Sequence, residues 1–113
     1  MKGTISILMI LFLSMGIDVA WGLDYPTKPI TLYVGYAAGG ATDTAARIVA
    51  NQVNKYLEQP MIVNNKPGGG SAVAADFVAK SKPDGYTLFN STITTVIQTV
   101  INPNNPFKIT EFT

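Results

Sequence analysis

The chain has 113 residues, with eight Lys or Arg against seven Asp or Glu, and neither cysteine nor histidine. That length allows one domain at most, and the near-even charge points to no nucleic-acid or acidic partner. Without cysteine there is no disulfide frame, thiol nucleophile or thiolate metal site; without histidine the commonest general base and metal ligand is missing.

Residues 1–22, MKGTISILMILFLSMGIDVAWG, begin with Lys2 and the amino terminus, followed by an apolar core from Ile5 to Ile17. Asp18 ends that core, and Ala20 and Gly22 form a small-x-small site for cleavage before Leu23. This is the layout of a secretory signal peptide, and its core is shorter than the roughly 20 residues a spanning helix needs. The expectation is a cleaved signal, against the alternatives of an uncleaved anchor or a buried N-terminal helix. The remainder, residues 23–113, keeps a net charge of +1, since Lys2 and Asp18 leave together.

YPTKPI, Tyr25 to Ile30, is an extended entry, because two closely spaced prolines disfavour helix. In ITLYVGY, Ile30, Leu32, Val34 and Tyr36 alternate with Thr31, Tyr33 and Gly35, which predicts a strand covered on both faces. From Thr42 to Gln59 the period becomes helical. Ala45, Ile48, Val49, Val53, Tyr56 and Leu57 form the expected inward stripe, and Pro60 stops the helix. Met61–Asn65 is a second strand and Lys66–Gly70 a loop. Ser71–Lys82 is a second helix, expected to turn Val73, Ala74, Phe77 and Val78 inward. Pro83 and Asp84-Gly85 mark a turn before a third strand, Tyr86–Ser91. Thr94–Ile101 reads as a short helix ending at Asn102-Pro103, and the tail as loop. The order βαβαβα, with short connections, predicts an α/β fold with a parallel sheet of right-handed crossovers.

Three strand-to-helix joints result: Tyr36–Asp43, Asn65–Ser71 and Asn90–Thr95. In a parallel sheet all three lie at the C-terminal edge, where ligands bind as a rule. Each helix starts there with unpaired N–H groups and partial positive charge, a combination that suits an anion. The joints carry Gly39, Gly40 and Gly68–Gly70 for close backbone approach. Thr42, Ser71, Ser91, Thr92, Thr94 and Thr95 add hydroxyls, and Lys66 is the one cation. That set suits a carboxylate better than a polyphosphate. The glycine spacing matches neither a dinucleotide fingerprint nor a P-loop, and GxSxG is absent. The glycines serve either plain turn chemistry or ligand approach. Asp43 is either a first-turn carboxylate favoured by the helix dipole or a ligand contact, and Ser91 and Thr92 are either helix caps or contacts.

YPTKPITLYVGYAAGGATDTAARIVA followed by NNKPGGGSAVAADFVAKSKPDGYTLFNST resembles the tripartite tricarboxylate transporter substrate-binding proteins, the TctC or Bug family. The shared pattern is YPxKPI, a strand, an AGGxxD joint, a helix, NxPGGG, a second helix and PDGYTL, in order along residues 23–113. The family usually has Pro and Phe where this chain has Gly35 and Tyr36. The resemblance implies a two-lobed, periplasmic-binding-protein type II fold that captures small carboxylates or related solutes for a membrane transporter, without catalysis or cofactor. It implies ligand contacts from Ala38, Gly39, Gly40, Thr42 and Asp43 in the first joint. Ser91, Thr92 and Thr95 would contribute from the third, within loops matching Ala37–Asp43 and Asn90–Thr95, while Gly70 and Ser71 of the second are candidates on the anion-site reading alone. It places the protein in the periplasm, with the transporter's membrane components as partners. Because the family runs to about three times this length, residues 23–113 are expected to form an incomplete N-terminal lobe with the second lobe absent. The alternatives are a truncated remnant that does not bind, and a Rossmann-like nucleotide-binding enzyme.

Overall fold

The computed structural model describes residues 24–112. The segment read as a signal peptide, residues 1–22, lies outside the described residues. Strand β1 is Ile30–Val34, β2 is Met61–Asn65 and β3 is Thr87–Asn90. Helices α1 (Ala41–Val53), α2 (Ala72–Ala79) and α3 (Ile93–Ile101) alternate with them. All pairing is parallel, in the order β2-β1-β3. Val34 is in register with Asn65 on one side and Asn90 on the other, so the three strands end level.

That order reverses direction at β1. The chain crosses one way to reach β2 and the other way to reach β3, so right-handed crossovers put α1 and α2 on opposite faces. The contacts agree. Tyr33 meets Phe77 of α2 with ring centroids 4.9 Å apart. Asn65, which shares its face with Val34, instead donates to Asp43 of α1. Between these layers the core is small and rich in alanine: Ile30, Val34, Ala46, Ala50, Ala74, Ala75 and Val78 are buried.

Two expectations about helix faces are corrected. Most of the stripe predicted to point inward from α1 points out: Ile48 is 58% and Val49 55% exposed, Ala45 and Tyr56 are exposed too, and only Val53 and Leu57 are half-buried. Asp43, Ala46 and Ala50 are buried in its place. Residues 43 and 45 are two apart, about 200° around a helix, so the real face lies nearly opposite the apolar one. Burial of the Asp43 carboxylate fixes that rotation, and the small Ala46 and Ala50 let the helix lie close to the sheet. On α2, Ala74 and Val78 are buried as expected, whereas Val73 and Phe77 stay partly exposed. Alanine at 75 takes the inward place.

α1 also ends earlier than Pro60 requires. The Asn54 side chain accepts from Met61 N at 2.6 Å and donates to Met61 O at 3.1 Å. This two-way pairing imitates a peptide group, stops the helix and seats the start of β2. The tail is irregular as expected, with one 3-10 turn at Ile109–Glu111. It is nonetheless packed: Phe107 is buried, and Phe112 stacks on Phe89 of β3.

Candidate functional site

In a parallel sheet the crevice forms where strand order reverses, outside the carboxyl ends of the strands. Here that point lies between β1 and β3, flanked by the first loop (residues 35–40) and the third (residues 91–92). The second loop, residues 66–71, lies beside them.

The first loop leaves β1 through buried Gly35 and half-buried Tyr36, then exposes Ala37, Ala38, Gly39 and Gly40. Gly39 has φ +83°, a left-handed conformation that a side chain would strain. This turn aims the Gly39 N–H at Asp43 Oδ2, 2.8 Å away. Arg47 Nε donates to the same oxygen at 3.0 Å, and Asn65 Nδ2 to Oδ1 at 2.8 Å. Asn65 also donates to Tyr36 O at 3.1 Å and accepts from Arg47 at 3.0 Å. Asp43 is only 2% exposed. Its carboxyl is held down to about 2 by the bond from Arg47 first, then by those from Gly39 and Asn65. The structure therefore places Asp43 beneath the loop as a brace, occupied by the chain's own donors. Above it α1 begins at Gly40, which supplies no side-chain cap, so the first-turn N–H groups receive none of the usual capping. Thr42 is half-buried in that turn.

The second and third loops interlock. Ser71 is fully buried and sits at φ +83°, the one non-glycine with positive φ among the described residues. A Cβ at Gly35 would overlap its side chain, so the two positions are in direct contact. Thr95, 1% exposed, donates to Ser71 Oγ at 3.3 Å. Thr92 and Thr95 hold the capping-box positions of α3, where Thr95 Oγ1 accepts from Thr92 N at 3.5 Å and Thr95 N bonds to Thr92 O at 3.0 Å. Thr92 Oγ1 lies 3.3 Å from the Tyr36 hydroxyl. Gly70 is exposed and lies under the Gln98 amide, where a Cβ would collide. Ser91 is exposed at the mouth of the third loop.

The ten residues singled out from sequence thus divide. Ala38, Gly39, Gly40, Gly70 and Ser91 are exposed, Thr42 and Thr92 partly so, and Asp43, Ser71 and Thr95 are buried supports. Lys66, the one cation of the joints, stands 4.6 Å over the Phe77 ring, on the α2 side of the sheet. Four residues that organise the site were not singled out: Tyr36, Arg47, Asn65 and Gln98. The i,i+4 spacing of Asp43 and Arg47 was a readable signal, and so was an asparagine ending a buried strand. Nothing local marks Tyr36 or Gln98. Among the described residues no three His, Cys, Asp or Glu side chains gather as a metal site would require. A mostly apolar cleft of about 500 Å³ runs along β3 and the end of α2, lined also by Phe112 and Ile109. It reaches Ser91 and Thr95 but not the first loop.

Part of the fold recurs in known proteins. The sequence profile described as the tripartite tricarboxylate transporter family receptor matches residues 45–113. BugT of Bordetella pertussis is 33% identical over 98% of this chain and 35% of its own length. MatC of Rhodopseudomonas palustris, solved with malate, superposes with a TM-score of 0.70 at 34% identity, covering 74% of this chain and 29% of MatC. A second R. palustris protein, solved with adipate, gives a TM-score of 0.57 at 38% identity over 58% of this chain and 22% of its own. Two further matched structures are described as a periplasmic transporter and a periplasmic binding protein. The chain spans about a fifth to a third of the length of the curated relatives it matches. Its three-stranded parallel sheet corresponds to part of a periplasmic-binding-protein fold. By profile and by near-complete alignment, the chain belongs to the TctC/Bug family of tripartite tricarboxylate transporter receptors.

Proposed function

We propose that the protein is a periplasmic solute-binding receptor, without catalytic activity, whose described residues form one jaw for a small carboxylate. The observation that carries this is the α1 N-terminus: exposed, uncapped by any side chain, and set at the β1/β3 switch point behind Ala38, Gly39 and Gly40. Its free N–H groups and dipole favour an anion of low charge. The buried Asp43 beneath them adds little repulsion, because Arg47 pairs with it. The malate and adipate held by structural relatives support the same ligand class. On this reading Gly70, Ser71, Ser91, Thr92 and Thr95 supply or support the opposing contacts, and the solute is passed to the membrane components of a tripartite transporter. Residues 1–22 serve as the export signal, and residues 23–113 belong to the first lobe of the receptor.

Titration calorimetry of the full chain with malate, adipate and ATP tests the proposal. Heat should accompany a dicarboxylate, weaken with added salt, and be absent with ATP. Binding of ATP with no dicarboxylate response would overturn it in favour of a nucleotide site.

A further inference from the structure

One contact joins the first loop to the third. The Tyr36 hydroxyl lies 3.3 Å from Thr92 Oγ1, and Thr92 Oγ1 lies 3.1 Å from Thr95 Oγ1, which reaches Ser71. Among the described residues no other hydrogen bond runs between residues 35–40 and residues 91–95. The backbone carrying Tyr36 is held as well: its carbonyl accepts from Asn65, and Gly35 before it rests on buried Ser71. The tyrosine therefore stands on a fixed base and reaches across the crevice to the N-cap of α3.

We propose that Tyr36 is a positioning residue of the crevice, setting the gap between the first and third loops before a solute arrives. The proposal rests on the carboxylate-receptor reading for its ligand. A gap set in advance spares the solute the cost of ordering two loops. A fixed gap also discriminates by the separation between carboxylates, because a solute of the wrong length leaves donors unpaired. Tyr36 does this through Thr92, not by touching the solute.

The test compares the full chain with Tyr36→Phe, which keeps the ring and removes the hydroxyl, and with Thr92→Ser, which keeps a hydroxyl at the other end. Amide hydrogen exchange without ligand is the first readout. Exchange at Ala37–Gly40 and at Ser91–Thr92 should rise several-fold in Tyr36→Phe and stay near the parent in Thr92→Ser, with the thermal midpoint of both close to the parent. Calorimetry with malate and adipate is the second. The ratio of their affinities should move toward unity in Tyr36→Phe by about threefold, the scale of one neutral hydrogen bond. Unchanged loop exchange in Tyr36→Phe overturns the proposal whatever the ligands do. If the parent binds neither dicarboxylate, the receptor reading fails instead, and the exchange result still decides the role of Tyr36.

Discussion

The first and third loops face the same crevice but finish their helices in opposite ways. α3 closes on itself: the Thr95 hydroxyl reaches back to Thr92 N at 3.5 Å and pairs with the Thr92 hydroxyl at 3.1 Å. α1 starts at a glycine that offers no cap, and its acid, Asp43, is turned down and buried among Gly39, Arg47 and Asn65. A helix end left open forgoes the stabilisation a cap supplies. The first loop forgoes it above a brace, and the third does not. Rigidity at the first loop thus comes from below, through a carboxylate, while the surface keeps its donors free.

Breaking the brace should have the largest effect. Asp43→Ala leaves the donors of Gly39, Arg47 and Asn65 without their acceptor. It should lower the urea midpoint of the full chain more than any substitution at the third loop. The same brace predicts a pH response. The Asp43 carboxyl titrates near 2 when folded against 3.8 ordinarily. Its contribution is therefore complete above the unfolded-state value and is lost as pH falls through the folded one. The unfolding midpoint of the parent should drop between about pH 4 and pH 2 more steeply than that of Asp43→Ala, and the two should converge at the acid end. Parallel curves would mean that the carboxylate does not hold the loop.

Next in size is the contact between loops. Gly35→Ala presses a methyl against Ser71 and should cost about 1–3 kcal/mol, read by chemical denaturation, as over-packing generally does. Only part of that loss should return in the double variant with Ser71→Gly, which removes the serine side chain and relieves the positive φ but leaves the Cα of residue 71 at 2.7 Å from the new methyl. Thr95→Val should cost about 1 kcal/mol, since it removes the donor to Ser71 and half of the α3 capping box. The smallest effect sharpens the comparison most. Gly40→Ser offers α1 a side-chain cap and should stabilise the chain by a few tenths of a kcal/mol. Dicarboxylate affinity should fall at the same time. Equal affinity in Gly40→Ser would show that the open helix end is not the anion site.

The sheet was legible because strand alternation and turn residues are local signals: Met61–Asn65 stands as read, and Asp84-Gly85 marks the turn before β3. The α1 face was not. Its apolar stripe is real, but a buried Asp43 held by three donors decided the rotation, and two of those donors come from other elements. Asn54 ended the helix for a similar reason, through a partner seven residues away in β2. Glycines and hydroxyls marked the three strand-to-helix joints, and the chain has a loop at each of them. Which side chains lie under the loops and which face the crevice depends on contacts between loops, such as Tyr36 with Thr92, that no spacing encodes.

The seat of Ser71 against Gly35 bears on how this sequence can drift. Neither position can change freely while the other stays as it is, because a side chain at 35 needs the space that the serine occupies. Ser71→Gly alone does not open the route, since the Cα of residue 71 would still lie 2.7 Å from a Cβ at 35: a side chain there also needs the second loop to draw back from β1. A relative with a side chain at the position of Gly35 is therefore expected to set its second loop further from β1, and one that keeps the loop in place would show that the contact yields locally.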